Sequence, residues 1–128
     1  MEYAVLHKNG QLIDCYPSLE QAKRVLALYP DLELVDTSKA TKLTVTYTEL
    51  GGPWGYGHQE PSFITYGPLK KCISNLIKWM QETARVFGPD ARDIRDYFRH
   101  CSLYVAGQDK TKWLMKQVDG INMKTMYV

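Results

Sequence analysis

The side chains of this 128-residue chain that could act as a nucleophile, its base or a metal ligand are candidates in name only: Ser62, Cys15, Cys72 and Cys101, and His7, His58 and His100. Nucleophilic catalysis needs a nucleophile beside a base that a third group orients. No G-x-S-x-G, H-E-x-x-H or P-loop pattern links these residues. The histidines lack the i,i+4 spacing of a helical metal pair, and the cysteines lack C-x-x-C spacing. No metal, no cofactor and no disulfide framework is therefore expected, only three reduced, half-buried thiols.

Pattern lies instead among aromatic and basic side chains. The stretch ELGGPWGYGHQEPSF, residues 49–63, has glycine at 51, 52, 55 and 57, with Trp54, Tyr56 and His58 between them. Glycine removes side chains and permits positive φ, so such a loop presents rings at angles a strand cannot reach. Aromatic rings carry large contact area at low rotamer cost and are over-represented among binding hot spots. Exposed, residues 50–61 form a recognition tip in which Trp54, Tyr56 and His58 contact a partner. Folded back, Trp54 caps an open end of a sheet.

The run GPLKKCISNLIKWMQETARVFG opens with Lys70 and Lys71, and its first acid is Glu82. Cations at a helix N-terminus cost roughly 0.3–1 kcal/mol each. Together with Gly67 and free N–H groups, the two lysines suit a phosphate or carboxylate; the plainer alternative is two solvated lysines. In DARDIRDYFRHC, Arg92, Arg95 and Arg99 share a helical face. They suit phosphates or an acidic protein surface, or else pair with Asp96 along their own helix. The nine residues FITYGPLKK, 63–71, are slightly similar to the YGTLK signature of gamma-glutamylcyclotransferase-like enzymes. The chain departs from that family by running through Pro68 into a long helix, and no catalytic role is carried over.

These residues need a frame. YAVLHKNGQLIDCY reads as a hairpin in which Asn9-Gly10 supplies the two positive-φ positions of a type I′ turn. PSLEQAKRVLALYP is a helix with a Ser18/Gln21 capping pattern and an apolar face of Leu19, Ala22, Val25, Leu26 and Tyr29. DLELVD adds a strand, giving a ββαβ unit over 1–36. KLTVTYTEL alternates Leu43, Val45 and Tyr47 with threonines, a strand with one buried face. SFITYG is its partner, completing a hairpin over 41–66. From Leu69 to Phe87 the apolar stripe Leu69, Cys72, Ile73, Leu76, Ile77, Met80, Ala84 and Phe87 predicts a long helix that starts at Pro68 and stops at Gly88-Pro89. Residues 90–101 read as a second helix, SLYVAG as a strand, DKTKWLMKQVDG as helix or strand, and INMKTMYV as a terminal strand.

Length and composition suit one soluble domain spanning 1–128, with 45% hydrophobic and 23% charged residues. No apolar run is long enough for a membrane span. The start MEYAVLHKNG carries an acid at position 2, unlike a signal peptide, so the cytoplasm is the expected compartment. Net charge is +2, but residues 1–67 hold five Lys/Arg against eight Asp/Glu, and residues 68–128 hold eleven against six. A basic C-terminal half fits an anionic partner, yet it is too mild for a dedicated nucleic-acid binder.

The expected fold is α+β: a largely antiparallel sheet built from the ββαβ unit and a second hairpin, with the 68–87 helix across one face. The expected role is that of a small cytoplasmic binding protein, an inhibitor or adaptor of the kind mobile elements encode, rather than an enzyme. It would recognise a partner protein through the aromatic loop and the basic helices. The alternatives are a nucleotide or other anionic small-ligand binder, with phosphates at Lys70 and Lys71, and a small hydrolase or transferase.

Overall fold

The computed structural model describes residues 2–49, 58–87 and 97–120. The fold is α+β, with two antiparallel sheets and a long helix on one of them. The first sheet contains β1 (Tyr3–Leu6), β2 (Leu12–Tyr16) and β3 (Glu33–Asp36) in the order β2-β1-β3. Between β2 and β3 runs α1 (Leu19–Leu28), whose Ser18 hydroxyl accepts the Gln21 N–H at 3.3 Å, as the capping pattern predicts. A 3-10 turn (Thr37–Lys39) leads into the second sheet. That sheet contains β4 (Thr41–Glu49), β5 (His58–Gly67), β6 (Cys101–Val105) and β7 (Gln108–Asp109), in the order β5-β4-β6-β7. Helix α2 covers Leu69–Phe87, and α3 covers Thr111–Gly120.

Alternation decides which side of each strand is buried. Leu43, Val45, Phe63 and Leu103 face α2 and α3 and join Cys72, Leu76, Met80, Leu114 and Val118 in the larger core. The threonines between Leu43, Val45 and Tyr47 take the other face. At the β5 edge that other face is covered by the first sheet: Ala4 and Leu6 pack on Tyr66 and Ile64. Pro61 lies within β5, where its missing N–H is harmless, because β5 is an edge strand and its register shifts between Phe63 and Pro61.

Three expectations change. The hairpin at Asn9-Gly10 is not a type I′ turn, since only Gly10 has positive φ (92°). Gly10 N–H donates to His7 O at 2.8 Å, and Asn9 Oδ1 accepts the Gln11 N–H at 3.0 Å. The turn is therefore a type I turn closed by a left-handed glycine, the three-residue alternative. A genuine pair of positive φ values occurs instead at Ala106 (51°) and Gly107 (78°), between β6 and β7. The connection between β4 and β5 is also shorter than the predicted 50–61 loop. Glu49 pairs with His58 and Tyr47 with Glu60, so residues 58–60 are strand, held by ladder hydrogen bonds that a sequence pattern interrupted by Pro61 conceals. Finally, DKTKWLMKQVDG resolves to helix α3, with Leu114 and Val118 buried one turn apart. The expected terminal strand at 121–128 lies outside the described residues.

Candidate functional site

Helix α2 is amphipathic over a wider arc than its own core contact needs. One row at four-residue spacing, Cys72, Leu76, Met80 and Ala84, is buried against the sheet. A second row, Leu69, Ile73 and Ile77, lies beside it and stays largely uncovered, with Leu69 49% and Ile77 47% exposed. Helix α3 enters the same face of the sheet over β6. Its start is tied to that strand from both directions: Lys110 N–H donates to Leu103 O at 2.7 Å, and Leu103 N–H donates to Thr111 Oγ1 at 3.1 Å. This anchoring sets Trp113, 36% exposed, across from Leu69 and Ile73.

The gap between the helices is an apolar groove of about 320 Å³. Its floor is Leu43 and Leu103, its walls are Leu69, Ile73, Val105 and Trp113, and Lys110 is its one charged lining residue among the described residues. The volume lies at the low end of the range of small-molecule pockets, roughly 300–1,000 Å³. Lys112 shares a neighbouring hollow with Lys110 and Trp113. Asp109, in the same hollow, accepts the Thr111 N–H at 2.9 Å, and its hydrogen bonds to Thr111 hold its pKa below the usual value.

The residues singled out from sequence fall in different places. Trp54 and Tyr56 lie outside the described residues, as do Arg92 and Arg95. The backbone of His58 is in β5, at the end of the hairpin away from the groove. Arg99 is exposed in the helical segment 97–99, next to Phe98, which is buried. Phe98 packs edge-on to Trp79 at 5.9 Å, and Tyr97 stacks on Tyr47 at 4.8 Å. That segment thus closes the sheet end with aromatic rings, a role hidden in DARDIRDYFRHC behind its more conspicuous charges.

Gly67 and Lys71 do meet, in a cleft of about 240 Å³ beside β3 that also contains Lys39, Glu33 and Asp36. Lys71 Nζ is already bound to the Glu33 carboxylate. An anion here must displace one carboxylate and approach another. Lys70 is exposed.

Titratable groups are tuned away from reactivity. Burial pushes the Cys101 thiol up to about 12. Burial also raises Cys72, and it raises Cys15 against the lowering effect of a hydrogen bond with Tyr66. Thiols with raised pKa hold their proton and are poor nucleophiles. Among the described residues, no three His, Cys, Asp or Glu side chains cluster to hold a metal, and no helix is long and apolar enough to cross a membrane. Comparison with protein-family models, curated proteins and solved structures gave no match.

Residues of the groove escaped the sequence reading because α3 was ambiguous between helix and strand. One signal was available. The α2 stripe has two parallel rows, and the contact of one helix with one sheet normally buries a single face.

Proposed function

We propose that this chain is a non-enzymatic binding protein that recognises a partner protein, and that the α2–α3 groove is its principal recognition surface. One observation carries the reading: Leu69 and Trp113 keep 49% and 36% of their surface exposed around a groove with a fully buried apolar floor. Contiguous apolar surface rimmed by polar groups is characteristic of interaction sites. A tryptophan at the lip of a groove is the type of residue that dominates binding energy. The loop residues Trp54, Tyr56 and His58, with Arg92, Arg95 and Arg99, are proposed as a second contact region. The groove takes precedence because its residues converge on one concavity.

Capture from a lysate with the wild-type chain and single variants tests this. A partner retained by wild type should be lost on Trp113→Ala and kept on Lys70→Gln/Lys71→Gln. Loss on Trp54→Ala with full retention on Trp113→Ala would move recognition to the loop. Loss on the lysine pair alone would favour an anionic ligand at Gly67, Lys70 and Lys71.

A further inference from the structure

We infer that the occupant of the α2–α3 groove is an acidic amphipathic helix. The inference rests on the binding role proposed above and specifies the partner's chemistry. Three observations bear on it.

First, the backbone beneath the groove has no vacancy for an extended peptide. Strand β4 is paired with β5 on one side and β6 on the other, and β6 is paired with β4 and β7. Leu43 pairs with Val105 and with Thr65, so the floor strands have neighbours on both sides. Strand addition needs a free edge. A helix satisfies its own backbone and brings only side chains, which is what an apolar floor between two helices can accept.

Second, the apolar wall runs along a helix axis. Leu69 and Ile73 stand one four-residue step apart and form the wall over about 6 Å, roughly one turn; Ile77, 47% exposed, continues the row beyond the groove. A partner helix laid alongside would meet this row with its own i, i+4 side chains.

Third, the sign of the rim selects the partner's polar face. Lys110 lines the groove and Lys112 shares the adjoining hollow with it and Trp113; Asp109, in that same hollow, is already engaged with Thr111. Complementary charge sets orientation and association rate, and like charge excludes wrong partners. A basic amphipathic helix would face Lys110 and Lys112.

Synthetic peptides test the inference on the full chain. The probe is a ~18-residue helix with leucine at i, i+3, i+4 and i+7 and glutamate on the remaining face. The controls are its shuffled sequence, its lysine counterpart and dodecanoate. Binding is read by anisotropy of labelled peptide, and by competition for dodecanoate. The acidic helix should bind at least about tenfold more tightly than either control peptide, and more weakly as salt rises. Lys110→Glu, at an exposed side chain, should reduce its affinity about tenfold with the circular dichroism spectrum unchanged. Equal binding of the shuffled or lysine peptide overturns the inference, as does no binding of the acidic helix. Binding of dodecanoate alone would make the groove a small-amphiphile site. If a lysate partner depends on Trp113 while no peptide binds, the binding role stands and this inference falls.

Discussion

A β-carbon at position 10 would overlap the side-chain amide of Asn75 and come within 2.9 Å of its Cβ. Asn75 is buried on α2 and donates to Thr65 Oγ1 at 3.2 Å. The tip of the first hairpin is therefore seated directly on α2, and the amide that fills the space beneath it is also bonded to β5. Gly10→Ala should cost about 2–5 kcal/mol, combining overpacking with the left-handed backbone penalty. Asn75→Ala alone should cost roughly 1–3 kcal/mol by leaving a buried hydroxyl without its donor. The double variant should cost less than the sum, because the overlapped amide is gone. Urea denaturation of the three variants measures the coupling, and strict additivity would disprove the contact.

The turn between β6 and β7 carries the opposite opportunity. Ala106 holds a φ of 51° that costs an L-residue roughly 1–2 kcal/mol. Ala106→Gly should raise stability by about 0.5–1 kcal/mol once glycine's extra unfolded-state freedom is subtracted. Gly107→Ala should lower it by roughly 1–2 kcal/mol through backbone strain alone, since nothing lies within 4 Å of a Cβ there.

These two turns show where sequence reading succeeds and where it stops. Asn9-Gly10 is the stronger turn signal, and a hairpin does form there, but α2 presses on Gly10 and a three-residue turn results. Ala106-Gly107 carries almost no signal, yet it takes the two positive φ values, because β6 and β7 must reverse within two residues. Strand alternation at Leu43, Val45 and Tyr47 and the period of α2 were legible, because burial of one face dictates both. The start of β5 was not, since Pro61 interrupts the pattern and the strand continues past it through a register shift. The groove was least legible: it depends on where α3 docks, and the Lys110–Leu103 and Leu103–Thr111 hydrogen bonds that fix this join residues from separate elements.

Alkaline pH should destabilise the protein. Burial raises the thiol pKa of Cys101 to about 12, and raises Cys72, Cys15, Tyr66 and Tyr97 in the same direction. Each group favours its protonated form in the folded state. The resulting stability is fully present below the unfolded thiol value of 9.0 and is lost as pH rises toward about 12. Urea midpoints should fall from about pH 9 upward. Cys101→Ala should flatten that fall, and an unchanged slope would contradict the burial of Cys101.

Two aromatic side chains should separate stability from recognition. Phe98 is buried against Trp79, so Phe98→Ala should cost about 3–5 kcal/mol of stability. Trp113 is partly exposed at the groove, so Trp113→Ala should cost clearly less stability but about 2 kcal/mol or more of partner binding. Thermal denaturation beside a binding isotherm distinguishes them. Equal loss of stability in both would make Trp113 a core residue.

The pairing of β4 has a temporal consequence. Its partner on one side, β5, follows it closely in the chain, but its partner on the other, β6, brings Leu43 against Val105 and Tyr47 against Cys101. Closing so large a loop is entropically expensive and slows the step that needs it. The strand pairings of the ββαβ unit lie within residues 3–36 and can form early, whereas α3 reaches the sheet only with β6. The groove therefore cannot form before β6 and α3 have joined the sheet. Amides of β1 and β3 should gain protection in pulse-labelled hydrogen exchange before those of β6. A newly made or partly unfolded chain would lack the groove, so any binding that depends on it would report that β6 and α3 are in place.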